Sequence, residues 1–441
     1  MKRLYVLPIL LAGTVNAQQQ PPIRQLGAMS AKSTVTWNNI LGLRALPGGR
    51  VLVNDVAGRK VVLLDSTLAQ IGIVADTTPA TATAYSGRIA SIIPYRADST
   101  LFVDPQSMSM MVIDPSGKMT SRVMALPRSE DAGMLGGALG SSAGLDAKGR
   151  LVYRAPFRFV RTGPPPSGAG GMPMMPTPPE SAMIVRVDLA TRQLDTVGVI
   201  KIPKVNMQMS QDDKGNMRMT METNPLPQAD DWAVLSDGTI AFVRGRDYHV
   251  DFVNADGSKT SAPKVPFEWQ RLSDEDKIAF IDSVKAARAR LAASTPVGPS
   301  PAGAPAGAPG AGSPDGGGAS RVVVQFGPDG GGRGGPAGFN GQPQVSFVSP
   351  SELPDYKPPF LPNSVRADAS GNIWVRTIPT RQIPGGPVYD VINREGKLID
   401  RVQVPAGRTI IGFGSDGAVY LATRDTSSPT PTMTLERAPI K

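Results

Sequence analysis

Short strands with alternating apolar residues recur along the chain, and each pair of strands is separated by a glycine or a short polar turn. Residues 46–65, LPGGRVLVNDVAGRKVVLLD, show the unit: a Gly-centred turn, an alternating strand, a short connection and a second apolar strand. Glycine permits the positive φ of tight turns, and alternation at period two is typical of strands with one buried face. Equivalent turns stand at positions 49, 99, 149, 238, 371 and 417.

The spacing of these turns predicts the fold. The intervals between them are 50, 50, 89, 133 and 46 residues, and a plain unit of this length holds four short strands. Repeats of this size favour propeller blades. We therefore predict an all-β fold, a six-bladed β-propeller with four-stranded antiparallel blades, formed as a single domain by residues 18–441. The longer intervals then contain insertions at 156–181, 206–228 and 267–362.

The sixth unit lacks its outermost strand, because the chain ends soon after Leu435 and Pro439 interrupts what remains. Residues from Ile23 to about Thr36 precede the first unit and carry strand-like apolar residues. We predict that this N-terminal segment fills the open edge of the last blade and closes the ring, which removes an exposed β edge.

Two insertions have recognisable local patterns. Residues 206–228 predict a hairpin with a turn at 213–216, in which Met207, Met209, Met217, Met219 and Met221 share one face. We interpret this methionine face as packing against the propeller rather than as a soft-metal site. The third insertion predicts a helix that begins after Ser273 as N-cap, followed by acidic residues. Its apolar stripe, which should dock on the propeller, comprises Ile278, Ile281, Val284 and Leu291.

Residues 295–341 are dominated by proline, alanine and glycine, as in PAGAPAGAPGAGSPDGGG. Such a composition buries too little apolar surface to fold, so this stretch is predicted to be a disordered loop. The fold class is therefore an all-β propeller with one inserted helix and one low-complexity loop.

Residues 1–17 resemble a cleavable signal peptide, with Lys2 and Arg3 before an apolar core and a small-residue site that ends at Ala17. The sequence contains no cysteine, and no later stretch is apolar enough to span a membrane. Its 46 basic and 37 acidic residues become 44 and 37 after cleavage, an excess of about +7. These features predict a periplasmic or secreted protein, expected to be a monomer, with anionic partners and no nucleic-acid role.

The turn-and-strand signatures GGRVLVND, KGRLVYRA, DGTIAFVR, SGNIWVRT and DGAVYLAT resemble those of secreted bacterial six-bladed propellers related to the NHL-repeat and gluconolactonase-like families. The similarity covers roughly 260 residues and specifies a blade rather than a reaction.

Polar residues at the ends of the second strands face the side that carries the insertions. Arginines there could bind a carboxylate or phosphate through paired N–H groups. We therefore predict an exported binding protein for an anionic small molecule, an acidic glycan or a protein, without a cofactor. Its candidate ligand-binding residues are Arg154, Arg244, Arg376, Arg366, Asp55 and Asp104.

The resemblance also implies an alternative, a divalent-metal-dependent hydrolase or lactonase whose cation, Ca²⁺ above all, is held by Glu, Asn and Asp near the channel. No Glu occupies a matching inner-strand position; the available oxygen ligands are Asn38, Asn39, Asp55, Asp104, Asp230, Asp231 and Asn363. The sequence has one histidine, His249, so a zinc site built from several His or Cys is excluded. Trp232 and Trp374 lie in predicted strands and are interpreted as core residues rather than sugar-stacking ones.

Overall fold

The computed structural model describes residues 20–79, 81, 83–86, 90–137, 143–156, 178–211, 217–294, 344–381, 383–425, 427 and 431–440. The predicted signal peptide, nearly all of the first insertion and the predicted disordered loop at 295–341 lie outside these residues, as does the tip of the methionine hairpin. Within the described part of the chain, the strands form six sheets of the blade type and one additional three-stranded sheet.

Two short strands near the N-terminus precede the first two sheets of the chain. They are β1 (Ile23–Gln25) and β2 (Ala31–Lys32). Sheet 1 comprises β3 (Ile40–Ala45), β4 (Val51–Asp55), β5 (Lys60–Leu64) and β6 (Gln70–Asp76). Sheet 2 comprises β7 (Ser91–Pro94), β8 (Thr100–Asp104), β9 (Ser109–Ile113) and β10 (Met119–Ala125).

The middle of the chain adds a short helix, two sheets and a hairpin between them. The helix is α1 (Ala132–Leu135). Sheet 3 comprises β11 (Gly144–Leu145), β12 (Leu151–Arg154), β13 (Ser181–Val187) and β14 (Leu194–Lys201). The hairpin is formed by β15 (Val205–Gln211) and β16 (Met217–Thr223). Sheet 4 comprises β17 (Asp231–Val234), β18 (Ile240–Arg244), β19 (His249–Val253) and β20 (Lys259–Ser261).

A long helix and one further strand precede the last two sheets. They are α2 (Asp274–Ser294) and β21 (Gln344–Phe347). Sheet 5 comprises β22 (Phe360–Ala367), β23 (Ile373–Thr377), β24 (Val388–Ile392) and β25 (Leu398–Gln403). Sheet 6 comprises β26 (Arg408–Phe413), β27 (Ala418–Asp425) and β28 (Thr432–Pro439), with β2 as its fourth strand. We predicted that the third insertion runs to residue 362, but β22 begins at Phe360. The insertion therefore ends before Phe360.

Each sheet packs against the next through apolar residues that both sheets contribute. Six buried clusters of this kind occur in the described residues, and they join sheets 1 and 2, 2 and 3, 3 and 4, 4 and 5, 5 and 6, and 6 and 1. Because the last cluster connects sheet 6 back to sheet 1, the sheets close into a ring. The architecture is therefore the all-β propeller that the repeated pattern predicts.

The N-terminal segment closes the ring, as predicted. Strand β2 pairs with β28 in antiparallel register, with Ala31 opposite Arg437, and Trp37 forms a further bridge to Met433. Strand β1 behaves differently, because it adds in parallel to β25 at the outer edge of sheet 5. There Arg24 forms an ion pair with Asp400. One segment thus covers the open edges of two sheets.

The tight turns depend on an acidic residue as much as on glycine. In the first turn of sheet 3, Gly149 has φ 73°, and the Asp146 carboxylate accepts the backbone N–H groups of Lys148 and Arg150 at 3.0 and 2.9 Å. Asp65 holds the last turn of sheet 1 in the same way. These bonds satisfy turn N–H groups that have no strand partner, so Asp is part of the local signal.

The second and third insertions form one subdomain. Strands β15 and β16 pair as the predicted hairpin, with Met207 opposite Met221, and β21 adds in parallel to β16. A small core contains Leu226, Ile281 and Leu353, and Ile378 of the loop after β23 packs against it. The subdomain therefore stands beside the loops at the ends of the second strands.

Helix α2 begins where the sequence predicts, because the Ser273 hydroxyl accepts the N–H of Asp276 at 3.1 Å. The predicted apolar stripe is only partly correct. Ile281 is buried, whereas Ile278 is 50% exposed and Lys277 is buried in its place. The Lys277 ammonium donates to Asp355 at 2.8 Å, so the aliphatic part of this side chain covers the core while its charge is paired.

A buried carboxylate links sheets 4 and 5. Asp390 of β24 accepts hydrogen bonds from the Tyr248 hydroxyl at 2.9 Å and from the Arg401 guanidinium at 3.2 Å. Burial raises the pKa of Asp390 to about 6, although Arg401 and Tyr248 both act to lower it. The folded chain thus holds this proton at pH values where the unfolded chain, with a pKa near 3.9, releases it.

This raised pKa predicts a pH dependence of stability. The stabilisation from the retained proton is fully present below about pH 4 and is lost as the pH rises through about 6. Asp390→Asn has no carboxyl group that can lose its proton. Between pH 4 and pH 7, its free energy of unfolding should therefore rise by roughly 3 kcal/mol relative to that of the parent. Urea unfolding of both proteins at pH 4.0, 5.5 and 7.0 measures the difference. A difference that stays constant across this range would contradict the prediction.

Candidate functional site

The ring has two ends with different connections. At one end, which we call the turn face, tight turns join the first strand to the second and the third to the fourth. At the other end, which we call the loop face, each second strand ends. The first strand of each sheet begins at this end, after the connection from the preceding sheet. Arg154 and Arg244 end β12 and β18, Arg376 is the penultimate residue of β23, and all lie at the loop face as predicted.

The most unusual carboxylate of the loop face is Asp231, the first residue of β17. It is buried, and its two oxygens accept the N–H groups of Trp232 at 2.9 Å and of Val365 at 3.0 Å. Val365 belongs to β22, so this carboxylate joins the inner strands of sheets 4 and 5. Burial raises the pKa of Asp231 to about 6, against the lowering effects of these N–H groups and of Arg366.

The backbone of β22 bulges where it meets Asp231. Phe360 pairs with Thr377 and the next pair is Val365 with Val375, so β22 carries extra residues in this interval. Asn363 lies in the bulge with φ 62°; among the described residues, it is the one non-glycine with positive φ that lies within a strand. Such backbone geometry is costly and is common at ligand sites. The bulge leaves the Asn363 side chain exposed and directs the Val365 N–H to Asp231.

Two arginines act on Asp231. Arg154 is largely removed from solvent, and this desolvation lowers the pKa of its guanidinium to about 10, while the charge of Asp231 opposes the change. Arg366 is exposed near the end of β22, opposite Trp374, and its charge lowers the pKa of Asp231. The charges of Arg154 and Arg366 thus both act on the Asp231 carboxylate.

Arg376 extends this positive region within sheet 5. Burial raises the pKa of Tyr389, and the charges of Arg376 and Arg366 both oppose that rise. Arg376 lies directly opposite Tyr389 on the neighbouring strand. The charges of Arg154 and Arg366 thus reach Asp231, and those of Arg366 and Arg376 reach Tyr389.

Arg244 pairs with carboxylates other than Asp231. Its guanidinium donates to Asp230 at 2.9 Å, to Asp251 at 2.7 Å and to the carbonyl oxygen of Val199 at 2.9 Å. Asp251 also lies 3.2 Å from Nε2 of His249, whose Nδ1 is 2.7 Å from Asp247. Arg244 and His249 are thus held in an ion-pair network of sheet 4, and the charge of Arg244 is compensated there.

Asp55 and Asp104, which we also predicted as ligand-binding residues, anchor the segments that lead into their own sheets. The Asp55 carboxylate accepts the N–H groups of Asn38, Asn39 and Gly58 at 2.9–3.1 Å. Asp104 accepts the Ser107 hydroxyl at 2.7 Å and the Ser86 hydroxyl. Both carboxylates are buried and act as local acceptors, so neither belongs to the Asp231 group.

The same contacts test the alternative of a divalent cation. The carboxylates that we named as oxygen ligands each accept N–H or O–H donors of the protein, and the Asp230 carboxylate accepts the N–H groups of Lys201 and Gly245. Among the described residues, no three His, Cys, Asp or Glu side chains form a group that could hold a metal ion. Among the described residues these carboxylates bind protein donors and do not converge on one point, as the cation site of a gluconolactonase-like enzyme would require.

The sequence singled out Arg154 and Arg366 but understated Asp231, which it offered only as one of several oxygen ligands. The bulge of β22 had no signal in the strand pattern, because the first residues of this strand lie in the insertion that we predicted to run to residue 362. Trp232 and Trp374, at 5% and 1% exposure, are core residues as predicted. In the described residues, no helix is long and apolar enough to cross a membrane.

No protein-family model and no curated protein matches the sequence. Among solved structures, a putative exported protein from Bacteroides fragilis is 10% identical, with 97% of each chain covered and a TM-score of 0.42. A DUF4221 family member from Bacteroides vulgatus is 10% identical over 96% of this chain and 97% of that one, with a TM-score of 0.39. A gluconolactonase from Xanthomonas campestris is 10% identical over 96% and 99%, with a TM-score of 0.36.

Proposed function

We propose that this protein is an exported binding protein that holds an anionic group of its ligand between Arg154 and Arg366, beside the buried Asp231. The observation that carries the proposal is that Arg366 directly follows Val365, whose N–H binds the buried Asp231, and that Arg154 also acts on this carboxylate. Guanidinium groups bind carboxylates and phosphates through paired N–H donors. The excess of about +7 that remains after cleavage of the predicted signal peptide at 1–17 supports an anionic ligand outside the cytoplasm.

Each residue of the site has a role in this proposal. Arg366 is exposed and supplies the first contact with the ligand. Arg154 is desolvated, so an added negative charge restores part of the stabilisation that its guanidinium loses on burial. Asp231 and the bulge of β22 fix the position of the strands, and they leave the exposed Asn363 amide to select among ligands by hydrogen bonding.

Calorimetric titration with glucuronate, inorganic phosphate and neutral glucose tests the proposal. We expect at least one of the two anions to bind and glucose not to bind, with an affinity that falls as NaCl is raised. Arg366→Gln should weaken binding by about tenfold or more, which corresponds to the loss of about 1.4 kcal/mol. Arg154→Gln should weaken binding similarly, with circular dichroism as the check that this variant folds.

Arg122→Gln is the matched control, because Arg122 is exposed on the outer strand β10 and its loss changes the net charge by the same amount. Binding by this variant should equal that of the parent. The proposal would be wrong if neither anion bound, or if Arg366→Gln and Arg122→Gln weakened binding equally, because the latter result would indicate a general charge effect.

A further inference from the structure

One tryptophan of this protein is exposed although the others are buried. The sequence contains four tryptophans; Trp37, Trp232 and Trp374 are at most 5% exposed, whereas Trp269 is 36% exposed. Tyr356, on a neighbouring segment, is 48% exposed. Large aromatic surfaces in water are costly, and when clustered they commonly mark binding sites.

Trp269 and Tyr356 lie on paired segments and on one face of that pair. Arg271 forms an antiparallel bridge with Tyr356, the Leu272 N–H donates to the Asp355 carbonyl at 2.8 Å, and the Lys357 N–H donates to Gln270 at 2.9 Å. In an antiparallel pair, opposite residues share a face and alternate residues return to it. Trp269, Arg271 and Tyr356 are all exposed, whereas Gln270 and Lys357 between them are half-buried, as this alternation requires.

The pair of segments is held rigidly against the propeller. The Trp269 ring meets Phe267 edge-to-face at 5.3 Å, and Phe267 meets the buried Tyr248 at 5.7 Å. The Lys357 ammonium donates to the Pro379 carbonyl at 2.8 Å, and Asp355 accepts from Lys277 of α2. The aromatic surface is therefore preorganised, which lowers the entropic cost of binding a flat ligand.

Charged groups of both signs flank the rings: Arg381 pairs with Glu268, and the charge of Arg271 acts on Asp355. Arg271 shares the face of the two rings, and Arg381 is 86% exposed near Glu268, with a nitrogen–oxygen distance of 3.6 Å. Stacking rings next to an exposed guanidinium suit a ligand that combines an apolar face with a carboxylate. Pyranose rings have such a face, and uronic acids carry the carboxylate.

We propose that Trp269, Tyr356 and Arg271 form a binding platform for a polysaccharide that contains uronic acids. The pyranose rings stack on Trp269 and Tyr356, and Arg271 pairs with a carboxylate. The platform lies at the loop face, on the segments that connect sheets 4 and 5. It is a surface separate from the Arg154 and Arg366 site, and it rests on different residues.

Trp269 supplies its own reporter, because the three other tryptophans are buried. Acrylamide should quench the Trp269 fraction of the fluorescence in the free protein, and polygalacturonate should protect it. Tyr356→Ala, which keeps the reporter, should weaken polygalacturonate binding by about fivefold to tenfold. Arg271→Gln should remove the preference for polygalacturonate over the neutral polymer dextran.

Affinity electrophoresis in gels that contain polygalacturonate tests the reporter residue itself. Trp269→Ala should lose most of the retardation, with an affinity at least about tenfold weaker. Ile71→Ala is the matched control, because Ile71 is a large apolar residue that is 54% exposed on the outer strand of sheet 1. This control should migrate as the parent protein does. Trp269→Ala should bind the anions of the calorimetric titration as the parent protein does, which separates this test from that of the proposed function.

Four outcomes would overturn the proposal. Acrylamide might be unable to reach Trp269, which would mean that other residues of the chain cover the platform. Polygalacturonate could fail to bind, or dextran could bind equally well. Binding could survive Trp269→Ala but be lost in Arg366→Gln, which would place the polymer at the arginine site. Finally, light scattering could show a dimer that Trp269→Ala dissociates, which would assign the platform to a second copy of the chain.

Discussion

Replacing Trp37 with alanine is expected to lower the free energy of unfolding by about 3–5 kcal/mol, the largest effect that we predict for a single side chain. Trp37 is fully buried in the cluster that joins sheet 6 to sheet 1. Its backbone exchanges two hydrogen bonds with Met433, at 2.9 and 2.6 Å, directly after the closing strand β2. The cavity left by alanine would therefore lie at the point where the ring is closed.

Urea unfolding followed by far-ultraviolet circular dichroism measures this loss without relying on tryptophan fluorescence. Trp269→Ala is the control: it removes the same side chain from a partly exposed position and should lower the free energy of unfolding clearly less than Trp37→Ala does. Trp37→Phe should cost less than Trp37→Ala, because it keeps a ring and removes an indole N–H that has no hydrogen-bond partner among the described residues. Equal losses for Trp37→Ala and Trp269→Ala would contradict the closure argument.

Asp131→Ala is expected to cost about 3–4 kcal/mol, because it leaves two buried donors without their acceptor. The Asp131 carboxylate is fully buried between sheets 2 and 3. It accepts the Tyr153 hydroxyl at 2.5 Å and two guanidinium N–H groups of Arg128 at 3.0 and 2.7 Å. The Asp131 carboxylate raises the pKa of Arg128, and burial together with this hydrogen bond raises the pKa of Tyr153.

The neighbouring residue provides a stringent control. Glu130 also pairs with Arg128, at 3.7 Å, but its side chain is exposed, so Glu130→Ala should cost under about 1 kcal/mol. Tyr153→Phe should lower the free energy of unfolding by about 1–3 kcal/mol, a loss between those of Glu130→Ala and Asp131→Ala, because Arg128 continues to pair with Asp131. Thermal and urea unfolding of the three variants would establish this order. If Glu130→Ala cost as much as Asp131→Ala, burial would not be the source of the stabilisation.

The arginines of the loop face show why the site could be predicted only in part. Arg154 and Arg244 end equivalent strands and have the same position in the repeat, so the sequence pattern cannot distinguish them. In the structure, Arg244 lies between Asp230 and Asp251, whereas Arg154 is desolvated near Asp231. Their difference comes from carboxylates on other strands, and the sequence does not specify which of these will lie nearby.

Helix α2 and the insertions give a second example. The start of α2 was predictable, because the Ser273 cap acts through the N–H of Asp276, three residues away. Its buried face was not, because Lys277 is buried through an ion pair with Asp355, 78 residues further along the chain. The union of the hairpin with β21 was missed for the same reason, since strand pairing between distant segments leaves no local pattern.

The sequence alone determined the strands, their turns and the closing role of the N-terminal segment. These features follow from interactions within a few residues: the alternation of apolar side chains, positive φ at glycines such as Gly149 and carboxylates that bind the N–H groups of their own turns. Only the tertiary structure decided which arginine lies near Asp231, where β22 bulges and which aromatic rings face solvent. Those features depend on burial and pairing between segments far apart in the chain, and their physical causes exist only after the ring has closed.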